Sequence, residues 1–151
     1  MSYPERYGHR AFFSGDAAAP EIVIDIGAAS ADAGGLSCVV PCTIHQLQFH
    51  VTDEVVAGTT TAPTVVFTKR PTPNSATSES VVGTLTIPDG TAVGAVIYTE
   101  LSSPVRFEVG DTLEISHTVG VGDPTGQGIA AAQCAHCPEV PGNMSDMSAS
   151  S

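Results

Sequence analysis

Tryptophan is absent, and only five Lys and Arg stand against sixteen Asp and Glu. The resulting net charge of −11 excludes a surface that wraps a polyanion by displacing its counterions, so nucleic acid is not an expected partner. Long apolar runs are missing too: no window holds about eighteen consecutive apolar residues, so neither a membrane-spanning helix nor a membrane partner is expected. Met1 to Arg10 has charges with no hydrophobic segment after them, so no signal peptide is expected and synthesis in a cytoplasm is. At 151 residues there is material for one core and not for two. Charged residues make up 14% and apolar ones 42%, with fifteen Gly and eleven Pro, which excludes an acidic disordered chain and favours a folded, turn-rich β protein.

Signals of catalysis are equally sparse. There is no G-x-S-x-G elbow. Ser116 and His117 are adjacent, but neighbours on a strand face opposite sides, so they do not form a nucleophile and base pair by proximity in sequence. The glycines Gly120, Gly122, Gly126 and Gly128 have no basic residue near them to meet a phosphate, and Asp123 lacks the alternating acidic ligands of a calcium loop. No enzymatic activity is expected.

From Glu21 onward, β-branched runs alternate with turn residues at sandwich or barrel spacing. The expected fold is an all-β antiparallel sandwich, jelly-roll-like, of about eight strands. Candidate strands are Glu21 to Ile26, Thr43 to Thr52, Thr64 to Thr68, Val81 to Ile87, Ala95 to Glu100, Val105 to Val109, Thr112 to Val121 and Ile129 to Cys137. Leu47, Phe49 and Val51 share one parity, Gln46, Gln48 and His50 the other, as one buried and one wet face require. Parity also points His45 and His117 inward. Pro88-Asp89-Gly90 and Gly110-Asp111 have the chemistry of hairpin turns, while Gly27 to Gly35 and Lys69 to Ser80 read as loops.

The layout is an N-terminal arm over 1–19, a sandwich over 20–138 and a Met-, Ser- and Pro-rich tail over 139–151, which is either a passive end or a second arm. The arm concentrates Tyr3, Tyr7, Phe12, Phe13, Arg6 and Arg10, side chains that anchor interfaces, so these six are the candidate partner-binding residues. The competing possibility is a terminus that is flexible or folds back onto its own core. On the arm reading, deleting Met1 to Phe13 leaves a folded domain that no longer binds its partner.

Four cysteines form two tight pairs, Cys38 with Cys42 and Cys134 with Cys137. Disulfides, reduced thiols packed as small hydrophobes and a structural zinc site all fit this spacing. His136, between Cys134 and Cys137, is a better candidate than His45 to join a mixed Cys and His zinc site. No cofactor other than that zinc is expected.

Val82-Gly83-Thr84-Leu85-Thr86-Ile87-Pro88-Asp89-Gly90-Thr91-Ala92-Val93-Gly94, followed by Pro104-Val105-Arg106-Phe107-Glu108-Val109-Gly110-Asp111-Thr112-Leu113-Glu114-Ile115, resembles the head decoration and structural proteins of tailed bacteriophages. The match runs from about Val82 to Ala132 and consists of turn chemistry more than site chemistry. The resemblance implies a virion protein on the outer surface of an icosahedral capsid, cementing major capsid protein subunits, commonly as a homotrimer, and made in the host cytoplasm. The cysteine pairs and the aromatic arm depart from plainer members of that group. Two other functions compete: a carbohydrate- or receptor-binding module of a phage fibre or surface appendage, and a metal-dependent enzyme on a cupin-like barrel. The first has few aromatic platforms, and the second lacks a visible ligand cluster.

Overall fold

The computed structural model describes residues 12–13, 21–27, 31–56, 61–71, 78–119 and 124–136. Eight strands follow one another: β1 (Glu21–Asp25), β2 (Ala31–Ser37), β3 (Cys42–Val56), β4 (Thr64–Arg70), β5 (Ser80–Thr86), β6 (Val96–Phe107), β7 (Thr112–Thr118) and β8 (Thr125–His136). They build two antiparallel four-stranded sheets, ordered β1-β8-β3-β6 and β2-β7-β4-β5. The chain changes sheet at every connection except the one from β4 to β5, which is the winding of a jelly roll. The expected all-β sandwich is the fold.

Eight strands form, but two of the expected ones are different. The segment read as a loop over 27–35 contains most of β2, an Ala- and Gly-rich edge strand with little propensity of its own, held by its ladder to β7. The two strands read over 95–100 and 105–109 are a single strand, β6. Pro104 interrupts the sequence pattern without ending the strand, because β6 is an edge of its sheet and the register against β3 skips from Val105 to Glu100.

The turns correct the reading in a second way. Gly90 and Gly110 adopt the positive φ that their positions require, at 75° and 95°. Neither turn closes a hairpin, however. Pro88 to Gly90 leads from β5 in one sheet to β6 in the other, and Gly110-Asp111 leads from β6 back to β7. A turn's chemistry sets the local reversal; it does not decide which sheet the next strand joins.

Alternation works as read. Leu47, Phe49, Val51, Leu113 and Ile115 are buried and meet Ile24, Val65, Phe67 and Leu85 between the sheets. His117 is buried, whereas Ser116, its neighbour, sits on the opposite face and is half-buried. His45 breaks the expected parity because it occupies a β-bulge between Ile44 and Gln46, which leaves it half-buried.

Candidate interaction surface

Two places collect the residues of interest: one end of the sandwich and the outer face of the β1-β8-β3-β6 sheet. At the end, the β6–β7 turn is gripped from two sides of the chain. Cys38 N donates to Asp111 O at 2.7 Å and Gly110 N donates to Cys38 O at 2.9 Å, while Cys42 pairs with Phe107 in the β3–β6 ladder. Phe13 bridges Cys38, and Phe12 O accepts from Val39 N at 2.7 Å and Val40 N at 3.2 Å.

Phe12 and Phe13 therefore correct the expectation that they reach for a partner. They are 6% and 2% exposed, and Phe13 packs edge-on against Phe107 with ring centroids 5.3 Å apart. The rings belong to their own core, since burying a Phe stabilises more than leaving it in water. Tyr3, Arg6, Tyr7 and Arg10 lie outside the described residues, as do the 139–151 tail and Asp123.

The same end holds a buried carboxylate. Asp111 is 4% exposed and accepts from Glu108 N at 2.8 Å, with Lys69 Nζ 3.6 Å away. Lys69 also donates to Arg106 O at 2.6 Å and stands 5.3 Å from the Phe107 ring centroid. Arg70 pairs with Glu79 and Glu114, and Arg106 with Glu108. All three described basic side chains thus face carboxylates, leaving no basic stripe among the described residues to track a phosphate backbone.

Cys38 and Cys42 are buried, and the Cys38 thiol donates to Val40 O at 3.1 Å. Cys38, Cys42 and Cys134 are reduced cysteines. Cys134 is half-buried opposite Ile44, with its Sγ 3.8 Å from Ala132 O. Among the described residues no group of three or more His, Cys, Asp or Glu is placed to hold a metal. Cys137 and the His136 side chain lie outside them; the His136 backbone pairs with Cys42.

The hydrogen bond with Cys42, and then burial, push the Cys38 thiol well above its ordinary range. Unfolding returns it to about 9.0, so the native state holds this proton more tightly. The stability it contributes is complete below the unfolded value and is lost as pH climbs beyond it toward the native one. Urea unfolding should accordingly give a lower midpoint at about pH 10 than at about pH 8, and Cys38→Ser should shrink the difference.

On the outer face of the other site, directly paired residues point the same way and form rows. One row runs Val23, Ile129, His50, Val96; the next places Ala131, Gln48 and Tyr98 together; a third holds Gln133, Gln46 and Glu100. Val23, Val96 and Tyr98 are 61%, 44% and 62% exposed. Side-chain amides link the rows: Gln46 donates to Glu100, Gln48 donates to Gln46, and His50 Nε2 lies 2.8 Å from Gln48 Oε1. The two central strands bring no carboxylate to these rows, Glu21 and Glu100 stand in them on the flanking strands β1 and β6, and in the next row Gln127 pairs with both Asp25 and Asp53. The alternation of Gln46, Gln48 and His50 was visible in the sequence. Their alignment with Tyr98, Val96 and Val23 depends on pairing between strands distant in the chain.

The chain matches no protein-family model and no curated protein. Among solved structures it is similar to murine APRIL, with TM-score 0.37 and 6% identity over 76% of this chain and 100% of that one. The Eiger TNF of S. frugiperda gives TM-score 0.37 and 10% identity, covering 83% of this chain and 91% of that one. Infectious bursal disease virus, Gt strain, gives TM-score 0.39 and 11% identity over 82% of this chain but only 30% of the viral one. At such scores these likenesses carry no argument about function.

Proposed function

We propose that this chain is a virion structural protein that decorates and cements the outer surface of an icosahedral phage capsid, bridging major capsid subunits, and that it works as a homotrimer without catalysing a reaction. The observation that carries the assembly reading is the outer face of the β1-β8-β3-β6 sheet. Copies with a net charge of −11 repel one another, and contact is least costly where carboxylates are few and apolar groups are exposed. The rows around Val23, Val96 and Tyr98 provide that combination. The capsid as partner rests on the resemblance of about 82–132 to phage head proteins, and the docking group is Tyr3, Arg6, Tyr7 and Arg10.

Sedimentation and shell binding test both parts. The full chain is expected to sediment as a trimer, and Val96→Glu with Tyr98→Glu to sediment as a monomer with unchanged thermal unfolding of the subunit. Removing residues 1–10 should abolish binding to purified shells that lack the protein. A monomeric full chain, or unchanged shell binding by the truncated one, would refute the corresponding part.

One observation favours a second reading, the carbohydrate- or receptor-binding module. Tyr98 is an exposed ring paired directly with Gln48 in a ladder of amides and an imidazole, and rings beside hydrogen-bonding groups suit a sugar. Phe49, Phe67 and Phe107 are all buried, so Tyr98 alone supplies that platform among them. Glycan-array binding that Tyr98→Ala removes would favour this reading over the first.

A further inference from the structure

An open sheet ends in strands whose outer backbone groups invite another chain unless something blocks them. In the β2-β7-β4-β5 sheet both edges are irregular: the register of β2 slips between Asp32 and Gly34, and that of β5 slips where Phe67 gives way to Thr68 on β4. The far half of β6 is blocked as well, by Pro104, which has no N–H, and by Lys69, which donates to Arg106 O. Two regular edges remain, Glu21–Asp25 of β1 and Val96–Glu100 of β6, and they are the opposite edges of one sheet. Among the described residues no strand lies along the outer side of either.

The ladders show which backbone groups turn outward. Val51 N donates to Ala95 O and Gly94 N to Val51 O, both at 2.9 Å. Carrying the antiparallel alternation on from there, Ile97 and Thr99 bond to β3, while Val96, Tyr98 and Glu100 point their N–H and C=O away from the sheet. At the other edge Ile26 N donates to Gly126 O at 2.9 Å, so Ile24 and Ile22 serve β8 and Glu21, Val23 and Asp25 turn theirs outward. On both edges the residues with outward backbone carry side chains on the outer face, where Val23, Val96 and Tyr98 are exposed. Every neighbouring pair in β1-β8-β3-β6 is antiparallel, so β1 and β6 run in opposite directions. A second copy that continues the sheet therefore presents its β1 antiparallel to β6.

We infer that β6 of one copy pairs with β1 of the next, Val96 opposite Val23, so that the β1-β8-β3-β6 sheet runs on from copy to copy. The inference rests on the assembly reading and names its contact. Such a β6-to-β1 interface is heterologous and forms a closed ring where the rotation between copies allows. Charge selects the register. Val23 meets an exposed apolar partner opposite either Val96 or Tyr98. The second choice sets Glu21 opposite Glu100, and like charges directly opposite are destabilising. The first sets Glu21 opposite Tyr98, whose hydroxyl can donate to the carboxylate. It also continues both outer rows, Val23-Ile129-His50-Val96 and Glu21-Ala131-Gln48-Tyr98, into the next copy.

Residues that exchange hydrogen bonds across an antiparallel pair stand about 5.5 Å apart at Cα, within the span of a disulfide. Full-length Val23→Cys and Val96→Cys chains, coexpressed and mildly oxidised, should give a covalent dimer whose peptides are joined between positions 23 and 96; neither variant alone should give that link. In the natural chain, amide exchange at Val23 and Tyr98 should be roughly tenfold slower in the assembled protein than after dilution to monomer, with Ile22 and Ile97, already bonded within the copy, changing less. Links joining 23 to 23 or 96 to 96 in the single variants would overturn the inference in favour of a symmetric contact. A sedimenting trimer with no 23-to-96 link would overturn it while leaving the assembly reading in place, and a monomeric natural chain would remove both.

Discussion

Replacing Phe13 with alanine should lower the folding free energy by about 3–5 kcal/mol, the cost of emptying a fully buried aromatic site that cannot collapse. For a domain of this size the melting temperature should fall by about 10 °C or more. The effect is large because the ring is 2% exposed, packs on Phe107 at 5.3 Å and belongs to the same cluster as Cys38 and Cys42. Phe107 itself links β6 to β3 through its pairing with Cys42, so a cavity there loosens the end at which β6 crosses to β7. Differential scanning calorimetry checks the magnitude, and a variant melting within 2 °C of the natural chain, roughly the noise of a surface change, would place Phe13 outside the core. The same geometry changes how the extension should be tested. A truncation through Phe13 removes core as well as arm, whereas one through Arg10 keeps the Phe12 and Phe13 anchor and isolates the docking question.

A comparable loss is expected from Gly128→Ala, although the substitution adds a single methyl group. Gly128 faces inward on β8, in register with Ile24 and Val51. Its missing side chain makes room for the Phe49 ring, and an added Cβ would overlap Phe49 and stand 2.6 Å from His50 O. The ring could turn aside, but the carbonyl belongs to β3 and its displacement would disturb the β3–β8 ladder at its centre. We expect a destabilisation of about 3 kcal/mol, at the upper end of overpacking effects. Gly83→Ala is the control. There the Cβ meets the far end of Leu47 at 2.6 Å, with no backbone atom close by, so a rotamer change relieves most of the strain and the cost is expected to be about 1 kcal/mol. Equal midpoints for the two variants in urea would mean that the close approach of β3 to β8 is not what requires a glycine at 128.

Gly128 and Phe13 also mark where reading the sequence stops. Gly128 resembled its neighbours in a glycine-rich loop, because the requirement for a bare Cα comes from a ring and a carbonyl on β3, seventy-odd residues earlier in the chain. Phe12 and Phe13 looked like interface residues for a similar reason: an aromatic beside an arginine-bearing terminus has the same composition whether its pocket lies in a partner or in its own fold. β2 was hidden because Ala, Gly and Asp carry weak strand propensity, and the hydrogen bonds that make it a strand are supplied by β7. The neighbourhood of Cys38 and Cys42 was visible as spacing. Their shared role in holding Phe12 was not, since it passes through the amides of Val39 and Val40.

What the amino-acid order by itself determined was local: which residues of β3 and β7 face inward, where the backbone turns with a positive φ at Gly90 and Gly110, and the acidic, helix-poor character of the whole chain. Side-chain alternation and turn geometry act over a few residues, so they are legible without knowing the fold. Tertiary structure decided the rest: the sheet each strand enters, the union of β6 across Pro104, the burial of Phe13, and the rows that join Val23, His50 and Tyr98 into one surface. Those outcomes depend on hydrogen-bond ladders and packing between segments far apart in the chain, where competing pairings share the same local pattern and differ only in how well the two sheets fill the space between them.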